Sequence, residues 1–140
     1  EGHLPGAVRI FFPVLQLAAA TRFGVLAEGL NALGRGNDDL AQLAAPETLQ
    51  ACLRRGHDGL RLMLVEPGAA AAVTVEALRS LSPVDLAQVF VGPEGGWTPA
   101  EIAMAQEAGC RLVTLGKRTL RADATPLIAL GVLQYLWGDL

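Results

Sequence analysis

In the second half of the chain, short apolar blocks alternate with longer segments of helical spacing, and glycine or proline separates them. Residues 60–65, 87–91 and 111–115 form the blocks, with Arg61 breaking the first. Runs of this length without alternation suit strands covered on both faces. Residues 73–81, opened by Thr74, residues 99–108 and residues 124–136 have helical character. The middle segment has the fullest local grammar. Thr98 is placed as N-cap, Pro99 takes the first helical position, Glu101 completes a capping box and Gly109 supplies the stop. The last segment, entered through Pro126, is apolar on most sides and is expected to be buried. Strand followed by helix, three times over, predicts an α/β fold with a parallel sheet and helical crossovers.

The first sixty residues are less regular. Residues 8–12 are rich in β-formers and are predicted to end as a strand at Pro13. Residues 15–33 have alanine-rich helical composition, with a break near Gly24. Residues 34–39 read as a loop. Residues 46–55 are predicted to form a helix with Leu49, Cys52 and Leu53 on one face.

Composition narrows the class. In 140 residues, 51% hydrophobic, one ordinary domain can bury a core. A net charge of −3 excludes a generally basic nucleic-acid binder. A local positive edge remains, because Arg111, Lys117, Arg118 and Arg121 lie with no acid between them. Cys52 and Cys110 follow no metal spacing and read as free thiols of a reducing, cytoplasmic compartment. No apolar run is long enough to cross a bilayer. His57, in a polar turn, reads as structural, and Trp97 and Trp137 read as core or interface.

Two loops hold the candidate chemistry. Val91-Gly92-Pro93-Glu94-Gly95-Gly96-Trp97 follows one predicted strand and Leu115-Gly116-Lys117-Arg118-Thr119-Leu120-Arg121 the next. Strand ends of open α/β sheets are where ligands bind, so the two loops predict one shared pocket. Glycines let main chain approach a ligand. Phosphate-binding GxGxxG and GxxxxGK[ST] patterns are absent, which favours a nucleoside or amino-acid moiety read by backbone groups. Arginine in the second loop can pair with phosphate or stabilise charge on a reacting base. Asp123 is placed to cap the final helix.

These residues resemble the RsmE family, the 16S ribosomal RNA (uracil-N3)-methyltransferases of the SPOUT superfamily. The resemblance rests on Val-Gly-Pro-Glu-Gly-Gly-Trp-Thr-Pro-Ala-Glu and on Ala-Gly-Cys-Arg-Leu-Val-Thr-Leu-Gly-Lys-Arg-Thr-Leu-Arg, and it covers residues 60–140. The family continues its Leu-Arg with Thr-Glu-Thr-Ala, whereas Ala122-Asp123-Ala124-Thr125 stands here.

The resemblance implies a parallel-sheet SPOUT methyltransferase domain over residues 26–140, with a C-terminal trefoil knot. Residues 1–25 are left as a poorly matched N-terminal segment, a remnant of a PUA-like RNA-binding domain. It implies S-adenosyl-L-methionine as cofactor, small-subunit ribosomal RNA as partner, a homodimer, and no metal. Carried over by position, Val65, Val91, Gly92, Glu94, Gly95, Gly96, Leu115, Gly116, Thr119 and Leu120 would bind the cofactor. Arg121, Arg118 and Glu94 would serve the chemistry, Glu94 either accepting a proton or holding the cofactor's amino group. Two other readings stay open from the residues: a catalytically impaired RNA-binding or dimerisation module, and a flavodoxin-like nucleotide-binding domain.

Overall fold

A computed structural model describes residues 7–17, 20–29, 42–43, 47–55, 59–81, 86–93, 95–121 and 124–137. Three apolar runs form the centre of the sheet: β5 (Leu60–Leu64), β7 (Leu86–Phe90) and β8 (Arg111–Thr114). β5 lies between β7 and β8 and runs parallel to both, with Leu62 beside Val89 and Arg111. β1 (Ala7–Leu17) extends the parallel set beyond β7, and the two-residue β6 (Val73–Thr74) closes it beyond β8. β2 (Ala20–Gly29) runs back antiparallel to β1 and carries β3 (Gln42–Leu43) and β4 (Glu47–Thr48) at its outer edge.

Both faces of the central strands are covered, which explains why these runs lack polar alternation. Met63, Phe90 and Leu112 face one side, with α1 (Leu49–Arg54) and α3 (Pro99–Glu107) packed there through Leu49, Cys52, Leu53 and Ala105. Leu62, Val89 and Val113 face the other, under α2 (Val75–Leu78) and α4 (Thr125–Trp137) through Leu78, Ala129 and Leu133. The topology requires this division. From β5 the chain first visits β6 at the edge beyond β8, returns through α2 to β7 on the other side of β5, and then crosses β5 through α3 to reach β8. Right-handed crossovers in opposite directions put their helices on opposite faces.

The α3 boundaries match their local signals. Thr98 Oγ1 accepts from the Glu101 N–H at 3.2 Å, and Glu101 Oε2 accepts from the Thr98 N–H at 2.8 Å. At the other end Gly109 (φ 85°) turns the chain. The Cys110 N–H reaches the Ala105 carbonyl and the Gly109 N–H the Gln106 carbonyl, a Schellman closure.

Other expectations are corrected. Among the described residues of the helix predicted over 15–33 the chain is strand instead: β1 continues to Leu17 and β2 occupies Ala20–Gly29. Val8, Ile10, Phe11 and Val14, then Thr21, Phe23 and Val25, are β-formers. Pairing of β1 with β2 overrides the helical preference of this alanine-rich stretch. Pro13 does not end β1. It lies past Phe11, the last residue paired with β7, and a register shift between Pro13 and Leu15 absorbs it on the β2 side. The helices predicted over 46–55 and 73–81 shrink to α1 and α2, because Glu47–Thr48 and Val73–Thr74 pair into the sheet first. Thr48 then caps α1, accepting from the Ala51 N–H at 3.2 Å. α4 is not buried all round: Leu127 and Tyr135 are 71% and 61% exposed. The predicted 34–39 loop, His57 and Asp123 lie outside the described residues.

Candidate active site

The C-terminal ends of β5, β7 and β8 open onto a cavity of about 230 Å³. This is the crevice outside the carboxyl ends of the central strands, the usual ligand position of an open α/β sheet. Both glycine-bearing loops reach it. From the first come Val91, Gly92, Pro93, Gly95, Gly96 and Trp97, and from the second Leu115, Arg118, Thr119 and Leu120. The end of β5 contributes Leu64, the residues just past it Val65, Glu66 and Pro67, and the helices add Ile102 and Thr125.

The first loop is held as a tight turn, with the Gly96 N–H donating to the Pro93 carbonyl at 2.9 Å. Gly96 has φ 76°, a conformation that favours glycine. Gly92 serves differently: a Cβ there would stand 3.0 Å from the Trp97 indole. That indole also donates Nε1–H to the Leu64 carbonyl at 2.9 Å, fastening the loop to the end of β5. Trp97 packs against the Met63–Phe90 core layer and lines the cavity, so it is more than the core residue read from the sequence. A Cβ on Gly95 would meet nothing within 4 Å, so the loop leaves open space at that position.

The second loop begins at Leu115 and turns at Gly116 (φ 83°). Its end is built into α4. The Arg121 carbonyl accepts from the Ala124 and Thr125 N–H groups and from Thr125 Oγ1, the last at 2.7 Å. Val65, Val91, Gly92, Gly95, Gly96, Leu115, Arg118, Thr119 and Leu120 are thus brought together. Gly116 and Arg121 lie on the same loop but outside the cavity wall, and Glu94 is outside the described residues. Leu64, Pro67, Ile102 and Thr125 were not among the candidates. Their signal was topological, since the end of a central strand and a helix start must border any pocket between its neighbours. Leu64, Val65, Leu115, Leu120, Ile102 and Trp97 give apolar walls, and Glu66 and Arg118 are the charges among the described lining residues.

At the opposite ends of the same strands one buried side chain closes α1 and α3 onto the sheet, beside a second hollow lined by Leu53, Arg54, Arg55, Gly59, Ala108 and Gly109. Arg61, 6% exposed, donates to Gln88 Oε1 and the Leu53 carbonyl at 3.0 Å, to the Arg55 carbonyl at 2.5 Å and to the Ala108 carbonyl at 3.4 Å. It thereby meets the carbonyl ends of α1 and α3, where a cation is favoured. Cys110 lies beside it, and burial pushes its thiol up to about 11 against the opposing Arg61 charge.

Comparison with known proteins agrees with this architecture. A 45-residue stretch is 51% identical to ribosomal RNA small subunit methyltransferase E of Synechocystis, covering 32% of this chain and 15% of that protein. A 42-residue stretch is 40% identical to the protein of the same name from Mesomycoplasma hyopneumoniae, covering 30% and 18%. A Legionella pneumophila methyltransferase, solved with its bound cofactor SAM, superposes with TM-score 0.64 and 30% identity over 75% of this chain and 41% of that one. The Neisseria gonorrhoeae ribosomal RNA small subunit methyltransferase E, solved with S-adenosyl methionine, superposes with TM-score 0.53 and 36% identity over 64% and 36%. The chain thus spans less than half the length of these relatives. The RsmE resemblance is matched by relatives of that name, and the parallel-sheet α/β fold is theirs. The RNA methyltransferase domain profile matches residues 36–134, most of the chain, and the protein therefore belongs to the RNA methyltransferase domain family.

Proposed function

We propose that this chain is the methyl-transfer domain of an RsmE-type enzyme that takes S-adenosyl-L-methionine in the loop-lined cavity and methylates N3 of a uridine in small-subunit ribosomal RNA. The supporting observation is the convergence of both glycine loops on the end of β5, in a fold shared with enzymes solved with that cofactor. The cavity suits the group. Leu115, Leu120, Ile102 and Trp97 offer apolar walls for an adenine, the main chain of the Gly92–Gly96 turn can come close, and Gly95 leaves space open.

When bound, this cofactor supplies an activated methyl on a sulfonium. The protein must align uracil N3 and favour loss of its imide proton, because the neutral imide is a poor nucleophile. Arg118 lines the cavity and Arg121 follows on the same loop, so this edge can stabilise a uracil anion or hold an RNA phosphate. In this reading Glu94 accepts the proton or holds the cofactor's amino group. A knotted C-terminal end, a homodimer and a cytoplasmic setting belong to the same reading.

Two measurements test it. Calorimetric titration with S-adenosylhomocysteine is expected to show binding. Labelled methyl transfer to small-subunit RNA, followed by nucleoside analysis, is expected to yield 3-methyluridine. Absent binding, or a methyl recovered on another base, overturns the corresponding half of the proposal.

A further inference from the structure

Glu66 stands just past β5, the strand flanked by β7 and β8, so it faces the middle of the cavity mouth. The Val65 N–H still pairs with the Val113 carbonyl at 2.9 Å, which fixes the main chain immediately before it. Its carboxylate rests against the glycine turn, Oε1 lying 3.4 Å from where a Cβ on Gly96 would stand. Among the described residues no donor or cation meets that carboxylate, and the other charge on the described wall, Arg118, belongs to the opposite loop. A positioned carboxylate without a counterion favours a cationic ligand and disfavours a neutral one of the same shape.

The reaction proposed above makes that distinction matter. The donor carries a positive sulfonium, and the spent product, S-adenosylhomocysteine, carries a neutral thioether at the same place. We propose that Glu66 is a specificity-determining residue that reads this charge, holding the charged donor more tightly than the spent product. The inference rests on the methyl-transfer reading of the cavity and adds a residue to it.

The test compares three ligands of nearly one shape: S-adenosylmethionine, S-adenosylhomocysteine, and sinefungin, which has an amine in place of the sulfonium. Glu66→Gln keeps size and removes charge, and the exposed position leaves folding intact. The two cationic ligands are expected to lose about fivefold in affinity, the magnitude of a solvent-facing ion pair, and the neutral one to change by less than about twofold. Equal losses for all three, the mark of a carboxylate that only accepts hydrogen bonds from ribose hydroxyls, overturn the proposal, as does no loss for any. If the unaltered chain binds none of the three, the methyl-donor reading itself falls and takes this inference with it.

Discussion

The two ends of the central strands β5, β7 and β8 solve opposite problems. At their N-terminal end a buried guanidinium closes α1 and α3 onto the sheet by gathering their main-chain carbonyls, and the hollow beside it is lined by the same segments that it ties together. At their C-terminal end two glycine turns hold space apart, and Glu66 and Arg118 face a cavity instead of each other. One end spends its polar groups on the fold, and the other leaves them facing open space. Stability and binding should therefore respond separately to substitutions at the two ends.

The largest effect belongs to the closed end. Arg61→Met removes a buried cation and leaves the Leu53, Arg55 and Ala108 carbonyls and Gln88 without it. Leaving buried acceptors unsatisfied costs about 1–3 kcal/mol, to be read as a lower urea midpoint at unchanged slope. Cofactor affinity per folded molecule should stay within about twofold, since additivity holds for distant sites. A variant as stable as the parent would show that these bonds carry little.

At the open end Gly95→Val should act in reverse. A Cβ there meets nothing within 4 Å, so the melting temperature should hold, while the valine branches enter the space proposed for the ligand. Binding of S-adenosylhomocysteine is expected to be lost. Unchanged affinity would remove Gly95 from the pocket.

How far each end was legible follows from where its partners lie. The Thr98–Pro99–Glu101 cap, the Gly109 stop and the glycine loops are set by residues a few positions apart, so their patterns stand in the sequence. The shared cavity was readable too, because strands followed by loops imply a common edge. Arg61 was readable only as an interruption in an apolar run. Its acceptors belong to residues 53, 55, 88 and 108, and main-chain carbonyls leave no mark in composition. Residues 8–12 were legible as a strand, but its continuation to Leu17 and the return of β2 along it were not, because the alanine-rich composition there favours helix and the pairing that overrides it depends on the hairpin as a whole. Glu66 stood in plain view at a strand end, but its position beside Gly96 depends on the fold.

Arg121 tests the open end at finer grain. Its carbonyl closes the first turn of α4 through Ala124 and Thr125, and that cap survives loss of the side chain. Arg121→Ala should therefore leave stability and cofactor affinity close to those of the parent. Methyl transfer should fall by about a hundredfold if the guanidinium stabilises charge in the transition state. Equal losses in rate and affinity would instead make Arg121 a cofactor ligand.

The smallest predicted effect returns to the closed end and depends on pH. The Cys110 thiol is raised from 9.0 to about 11, chiefly because burial disfavours the thiolate, with the Arg61 charge opposing. A folded-state value above the unfolded one means that the folded chain binds this proton more tightly. The contribution is therefore complete below pH 9.0 and is lost as pH rises towards 11. The loss amounts to about 2 kcal/mol by the upper end of that window. Chemical denaturation of the parent and of Cys110→Ala across this range should show the parent falling more steeply by that amount. Parallel curves would mean that the thiolate is tolerated beside Arg61, and that the closed end is less dry than its buried guanidinium implies.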